Sequence, residues 1–273
     1  MYDKLVSVQS SKVLTHFHSL NKVVFEIEEL ASVFPDSSRN AIRNLLSSMV
    51  KRGLLMRIKR GLYYIIPYER DSETYLPDWH LLAEPLTKGR GHYVGYYSAL
   101  QIHDLITQPS LKEQIVVSKQ VKPSQLVIRG TTFQFIYHNP RRFFGGKQIW
   151  ITKYDRVKCS DLEKTIIDCL YKPEYAGGIT EIAKAIYTAR EKLDFLKLLS
   201  YSERFKSQAV IKRLGYLLEL MQIPTNATEI LRSRRTASYV ILDTEVPATG
   251  KFLSRWSIQQ NVDPQTILEA RFT

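Results

Sequence analysis

The chain has 273 residues, of which 44% are hydrophobic and 24% charged, and its net charge is +12. This composition is that of an ordinary globular protein. No apolar run approaches the ~18 residues of a membrane-spanning helix, and the start lacks the hydrophobic core of a signal peptide. Cys159 and Cys169 are too few for a disulfide framework or a zinc site, which favours a reducing cytoplasm. The length predicts two or three domains, and the positive charge predicts nucleic acid or an acidic partner.

The first 35 residues predict three short elements. Residues 5–20 are loosely amphipathic and predict a helix, and residues 23–25 predict a short strand. A second helix is expected over residues 28–34, where Pro35 ends it and its acids lie at the favourable end of the dipole.

The stretch SRNAIRNLLSSMVKRG, residues 38–53, predicts the best-defined helix of the chain. Its apolar residues repeat as adjacent pairs four apart, which forms one stripe of a 3.6-residue helix. Asp36 or Ser37 is expected to cap its start, and Gly53 is expected to end it. Its outward face is polar and basic, with Arg39, Asn40, Arg43, Asn44 and Ser47.

From residue 37 to residue 68 the chain carries seven lysines and arginines and no aspartate or glutamate. Such a surface is tolerable where a polyanion supplies the missing charge, and Arg and Asn can pair with base edges in a major groove. Residues 54–58 and 62–66 predict two strands joined by a tight turn at residues 59–61, so a basic hairpin follows the helix.

The order of these elements predicts a winged helix-turn-helix over residues 1–68. The basic helix would enter a major groove of DNA, and the tip of the basic hairpin would contact the backbone. A winged helix that binds another protein is the alternative, and the acid-free helix face argues against it.

Residues 69–273 predict a mixed α/β domain with a helical C-terminal part, and a further division near residue 175 stays open. Short runs rich in Val, Ile, Thr and aromatics predict strands at 114–118, 125–129, 131–137, 148–152 and 239–243. Amphipathic runs predict helices at 78–87, 96–106, 160–170, 179–190, 193–205 and 209–221. Ser160 is expected to cap the helix that carries Glu163. The predicted fold class is α+β.

The sequence offers little for catalysis. It contains no HExxH, GxxxxGK[ST] or GxSxG motif, and its histidines sit singly or face different ways. No aspartate or glutamate has a lysine two residues on, the pair common in magnesium nucleases. Asp161, Glu163 and Asp168 share one predicted helix, where capping and ion pairing explain them. We therefore expect no catalytic residue, no metal and no cofactor.

Two further basic segments stand out. Arg141, Arg142 and Lys147 are interleaved with two phenylalanines, a pattern that suits phosphate contact and base stacking and suits a solvated hairpin equally well. The run RSRR, residues 232–235, is interpreted as a flexible surface segment.

Several motifs, taken in order, resemble the antitoxins of the AbiE abortive-infection system, a bacterial toxin–antitoxin class active in phage defence. The resemblance covers nearly the whole chain. It rests on the winged helix closed by RGLYYI, then on YYSALQIHDL, DLEKTIIDCLYKPEYAGGITEIAKAI, VIKRLGYLLE and SRWSIQQNV.

The resemblance implies a transcriptional autorepressor that binds inverted repeats in its own promoter and whose C-terminal domain opposes a nucleotidyltransferase-like toxin. Direct contact with that toxin stays open, and two copies are expected on the repeat, as a weak dimer or as two monomers. The DNA-reading role transfers to Ser37, Arg39, Asn40, Arg43, Asn44 and Ser47 and, on the wing, to Arg57, Lys59 and Arg60. A nucleic-acid-processing enzyme targeted by a winged helix, and a stand-alone ligand-sensing repressor, are the alternatives.

Overall fold

The computed structural model describes residues 4–106, 108, 110 and 112–272. Within them the chain combines helices with β-sheets, which confirms the predicted α+β class. The chain divides into two compact units, Met1–Lys88 and Gly89–Thr273. In this described part, none of the helices is both long and apolar enough to cross a membrane.

The first unit has its elements in the predicted order. They are α1 (Val8–Ser19), β1 (Val24–Glu26), a 3-10 helix (Ile27–Ala31), α2 (Arg39–Lys51), β2 (Leu55–Lys59), β3 (Leu62–Ile65), a 3-10 helix (Trp79–Leu82) and α3 (Ala83–Thr87). Strand β3 lies between β1 and β2 and pairs antiparallel with both. That this unit is a DNA-binding winged helix stays a prediction.

The apolar stripe of α2 forms the centre of the first unit's core. Ile42, Leu46 and Met49 are buried against residues of α1 and β1, where Phe17 and Phe25 stack with ring centroids 4.1 Å apart. Packing on this core, more than intrinsic propensity, holds a helix of 13 residues in place. The polar face of α2 is consequently fixed toward solvent.

The cap of α2 differs from the expectation. Ser38, not Asp36 or Ser37, is the N-cap, because it is the last extended residue and its Oγ accepts the amide of Ala41 at 3.2 Å. At the other end, Gly53 has a positive φ of +70° and follows the last turn as expected.

The boundary between the compact units lies at Lys88 rather than at residue 68. Residues 69–88 stay with the first unit because they bond to its hairpin. The Tyr64 and Tyr75 hydroxyls are 3.1 Å apart, and Lys59 Nζ donates to the carbonyl of Leu86 at 3.4 Å.

The second unit joins a sheet to a helical part. Its elements are β4 (His92–Val94), α4 (Tyr96–Ile102), β5 (Lys112–Val117), β6 (Gln125–Ile128), β7 (Thr131–Tyr137), β8 (Gly146–Trp150), β9 (Arg156–Ser160), α5 (Leu162–Tyr171), a 3-10 helix (Pro173–Tyr175), α6 (Gly178–Ala189), α7 (Phe195–Phe205), α8 (Gln208–Leu220), α9 (Ala227–Arg234), β10 (Val240–Ile241), β11 (Lys251–Leu253), β12 (Ile258–Gln260), α10 (Pro264–Glu269) and a 3-10 helix (Ala270–Phe272).

The main sheet of the second unit has, within the described residues, the strand order β6-β7-β5-β4-β9-β8. Strands β5 and β7 pair in parallel, as do β4 and β9, and the other neighbours are antiparallel. The β8–β9 hairpin therefore forms one edge of the sheet.

The larger described hydrophobic cluster of the second unit extends from Leu100 to Ile267, beside a smaller cluster that includes Tyr93 and Val116. Helices before and after residue 175 share this cluster, so the second unit is not divided at the point where the sequence leaves a further division open.

Two local expectations in the second unit are wrong. Asp161 is the N-cap of α5 in place of Ser160, since its carboxylate accepts the amide of Lys164 at 2.9 Å. The RSRR run, which the sequence predicts to be flexible, is instead helical in its first three residues: Arg232 and Arg234 lie in α9, where the fully buried Leu231 anchors the helix.

Candidate nucleic-acid interface

A groove between α2 and the β2–β3 hairpin is the candidate site in the first unit. Its volume is about 890 Å³. We call it the α2 groove, and its described lining residues are Glu26, Ile27, Glu28, Arg39, Arg43, Asn44, Ser47, Val50, Arg57, Arg60, Gly61, Tyr63 and Lys88.

Helix periodicity brings the polar residues of α2 to one wall of the groove. Arg39, Arg43 and Ser47 are each four apart, so they follow one another along a single helix face, and Asn44 lies beside them. All four side chains are exposed. The guanidinium and amide groups on this face are those that pair with guanine and adenine edges in a major groove.

The hairpin supplies the opposite wall through Arg57 and Arg60, both exposed. Gly61, with a φ of +82°, makes the tight turn between β2 and β3. The register of β2 against β3 shifts between Arg57 and Lys59, so the regular alternation of side chains breaks at this point. Lys59 consequently lies outside the groove lining, half-buried, with its Nζ directed to the carbonyl of Leu86.

The groove also contains carboxylates that the linear sequence does not place there. Glu28 Oε1 lies 3.2 Å from Arg39 Nη2, and Glu26 Oε1 lies 3.7 Å from Lys88 Nζ. The described lining residues thus include five cationic and two acidic side chains, a net charge of +3. Helix α2 has no acid of its own, but the groove as a whole does.

Two more predicted residues lie just outside the groove lining. Ser37 precedes the cap of α2 and lines a neighbouring, smaller pocket together with Arg39. Asn40 is exposed one turn before Asn44, and its Oδ1 accepts from Arg43 Nη1 at 3.5 Å. The structure therefore gathers six of the nine predicted DNA-binding residues and leaves Ser37, Asn40 and Lys59 at the margins.

In the predicted secondary patch, Arg142 contacts aromatic side chains of the second unit. The Arg142 guanidinium stacks over Tyr171 at 4.4 Å and over Phe205 at 5.2 Å, and its Nη1 bonds the Tyr171 hydroxyl at 2.5 Å. Of the three cations, only Arg141 and Lys147 are exposed. Arg142 thus stabilises the packing of helices, and a charge pattern alone cannot distinguish that role from phosphate contact.

The acids considered as nuclease ligands have structural partners. Asp161 caps α5 and pairs with Lys197 at 3.0 Å, and Glu163 pairs with the same lysine at 2.6 Å. Asp168 pairs with the buried Lys164. Among the described residues, no group of three or more His, Cys, Asp and Glu is placed to hold a metal ion.

A buried polar network surrounds that Lys164–Asp168 pair. Tyr93 donates to Asp168 at 2.9 Å and accepts from Lys164 Nζ at 2.8 Å, while the two nitrogens of His138 lie 3.3 Å from the Tyr93 hydroxyl and 2.8 Å from the Tyr96 hydroxyl. Burial lowers the pKa of His138 to about 4, although the nearby Asp168 carboxylate opposes this shift. The imidazole is therefore neutral at physiological pH.

The comparisons with known proteins bear on the fold. No protein-family model matches the chain, and no curated protein sequence matches it. The crystal structure of the RV2827C protein from Mycobacterium tuberculosis is similar, with a TM-score of 0.70 over 94% of this chain and 92% of that chain. The two sequences are 12% identical, so this likeness shows the fold alone.

Proposed function

We propose that the protein is a sequence-specific DNA-binding protein that uses the α2 groove to bind a DNA duplex. The observation that carries the proposal is the convergence of Arg39, Arg43 and Asn44 on α2 with Arg57 and Arg60 on the hairpin. Base-reading side chains on a helix and cations on an adjacent hairpin are the two parts that a winged helix uses on DNA.

The biological role that fits this site is that of an AbiE-type antitoxin. In this role the first unit represses the promoter of its own operon by binding inverted repeats, and the second unit opposes a nucleotidyltransferase-like toxin in the cytoplasm. The order of elements in the first unit supports the DNA-binding half of this proposal. The resemblance of the sequence motifs to AbiE antitoxins supports the proposal that the second unit opposes a toxin.

The test of DNA binding is a gel shift of the full chain with its own upstream DNA and with a scrambled duplex of equal length. Both titrations are run at about 50 and about 200 mM salt, because phosphate contacts weaken steeply over this range while base contacts keep their preference. We expect the upstream DNA to be preferred at both concentrations. Equal binding to both duplexes that disappears at the higher salt would refute sequence-specific recognition.

The test of the antitoxin role uses the intact chain and measures repression of the promoter and protection from the toxin separately. An Arg43→Ala, Arg60→Ala double variant should lose repression of a promoter reporter and still protect cells from the toxin encoded next to it. Both residues are exposed, so the fold should be retained. If the double variant neither represses nor protects, while its unfolding temperature is unchanged, DNA binding and protection are not separate functions.

A further inference from the structure

The tip of the β8–β9 hairpin in the second unit presents aromatic and cationic side chains together. In its cross-strand register, Trp150 lies opposite Arg156 and Gln148 lies opposite Lys158, so these four residues share one face of the hairpin. The alternate pair, Ile149 and Val157, belongs to the other face, where Val157 is buried. The Trp150 face is open to solvent at this end.

The two aromatic rings of this hairpin are unusually accessible. Trp150 is 59% exposed, although tryptophan is highly buried on average, and Tyr154 is 89% exposed, although tyrosine is usually at least partly buried. The Arg156 guanidinium lies 4.7 Å from the centre of the Trp150 ring and holds it in a cation–π contact. The indole is therefore restrained by a cation while most of its surface faces water.

Hydrogen bonds hold the tip in a defined shape. Thr152 Oγ1 accepts the amides of Tyr154 and Asp155 at 3.1 and 2.9 Å, and the amide of Ile151 bonds the carbonyl of Asp155 at 3.0 Å. The Asp155 carboxylate accepts the Thr152 hydroxyl at 2.8 Å. Tyr154 is consequently displayed on a turn whose backbone is already ordered, which lowers the entropic cost of binding.

The charge of the hairpin selects the class of partner. Between residues 150 and 158 the chain carries Lys153, Arg156 and Lys158 against the single acid Asp155. Cations that contact phosphates, beside aromatic rings on which bases stack, are the means by which proteins bind single strands without reading their sequence. A duplex has its bases stacked inside and offers such rings no exposed base face.

We propose that the β8–β9 hairpin is a binding surface for single-stranded nucleic acid, with Trp150 and Tyr154 as stacking platforms and Lys153, Arg156 and Lys158 as phosphate contacts. None of these five residues is among the described lining residues of the α2 groove, and the proposal does not depend on the function of that groove.

The experiment measures fluorescence anisotropy of labelled oligothymidylate and oligouridylate of about 12 nucleotides, within the usual site sizes. Excess unlabelled duplex is present to occupy the α2 groove. The unsubstituted protein is compared with Trp150→Ala, Tyr154→Ala and Arg156→Ala. The matched control is Phe252→Ala, which removes an aromatic ring that is 63% exposed on β11 next to Lys251.

We expect Trp150→Ala and Tyr154→Ala each to weaken single-strand binding by about 5- to 150-fold, the range for loss of one stacked base. Phe252→Ala should bind as the original chain does, and binding of labelled duplex should be unchanged in all variants. Preference for oligouridylate would identify RNA as the source of the strand, and preference for oligothymidylate would identify single-stranded DNA.

Three outcomes would overturn the proposal. The first is unchanged affinity in both aromatic variants, and the second is an equal loss in Phe252→Ala. The third is an absence of single-strand binding at about 50 mM salt, which would favour a protein partner for this hairpin. Since the duplex titration reports on the α2 groove separately, failure of one site is distinguishable from failure of the other.

Discussion

Arg43 and Arg39 occupy equivalent positions on α2, one turn apart, but they differ in their partners. Arg39 forms an exposed ion pair with Glu28 at 3.2 Å, with side-chain exposures of 69% and 62%. Among the described residues, no carboxylate pairs with Arg43, whose Nη1 has only a long contact of 3.5 Å to Asn40. Arg43 is therefore free to bind a base edge, whereas Arg39 can do so only after its ion pair with Glu28 is broken.

The expected loss of DNA affinity for each alanine variant follows from these contacts. Loss of one bidentate pair with a base costs about 1–3 kcal/mol, so Arg43→Ala should weaken binding to the operator by about 5- to 150-fold. An exposed ion pair contributes about 0.2–1 kcal/mol, which offsets part of what Arg39 gains on DNA. Arg39→Ala should accordingly cost less than Arg43→Ala by about this amount.

The assay is anisotropy of a labelled operator duplex and of a scrambled duplex, with thermal unfolding as a check on folding. Lys51→Ala is the matched control, because Lys51 is an exposed cation of the same helix that lies outside the α2 groove. Equal losses for Arg43→Ala and Lys51→Ala would mean that only total charge matters. An unchanged Arg43→Ala affinity would show that α2 does not enter the major groove.

The remaining predictions concern the hairpin and the buried network. Arg60→Ala should lower the slope of log affinity against log salt by about 0.9, whereas Lys59→Ala, outside the groove, should leave it nearly unchanged; duplex titrations over a salt series measure both. Asp168→Asn should destabilise the chain by about 3–5 kcal/mol in urea unfolding, because it leaves the fully buried Lys164 ammonium without its paired carboxylate. Burial lowers the pKa of His138 to about 4 in the folded state, whereas an unfolded histidine has a pKa of about 6.5. As the pH falls from about 6.5 to about 4, the imidazole is therefore protonated in the unfolded state only. Stability should fall over that window by about 3 kcal/mol on account of this group, and His138→Gln should remove that part of the pH dependence when unfolding is compared at about pH 7.5 and about pH 4.5.

The elements that the sequence predicted well have strong periodicity. Strand β7 has the predicted bounds, and its first five residues alternate buried and partly exposed positions. Helix α2 has six apolar residues in one stripe. Strands β4 and β9 were missed. Strand β4 has only three residues, all buried, which is too short to show a period. Strand β9 does alternate cations with buried residues, but only over its first four residues, which is the shortest run that indicates a strand.

The residues of the candidate surfaces also divide into those that the sequence predicts and those that it does not. The cations of α2 and the hairpin were predicted because they lie within 32 consecutive residues without an acid, counted from residue 37 to residue 68. Glu26, Glu28 and Lys88 could not be placed in the groove, since they come from separate segments that only the fold brings together. The exposure of Trp150 also has no sequence signal, because tryptophan is more often buried.

The modest charge of the α2 groove leads to a prediction about stoichiometry. Among the described lining residues, only Arg57, Arg60 and Lys88 are available for phosphates once Arg39 and Arg43 face base edges, and Lys88 already has Glu26 as a partner. One copy should therefore neutralise about two or three phosphates, which gives a salt slope near −2 to −3 at about −0.9 per contact. Such a slope is shallow for a tight repressor, so we expect a full inverted repeat to bind two copies and to double the slope measured on a half-site. If the half-site and the full repeat give the same slope, one copy makes all the contacts and other cations of the chain must reach the DNA.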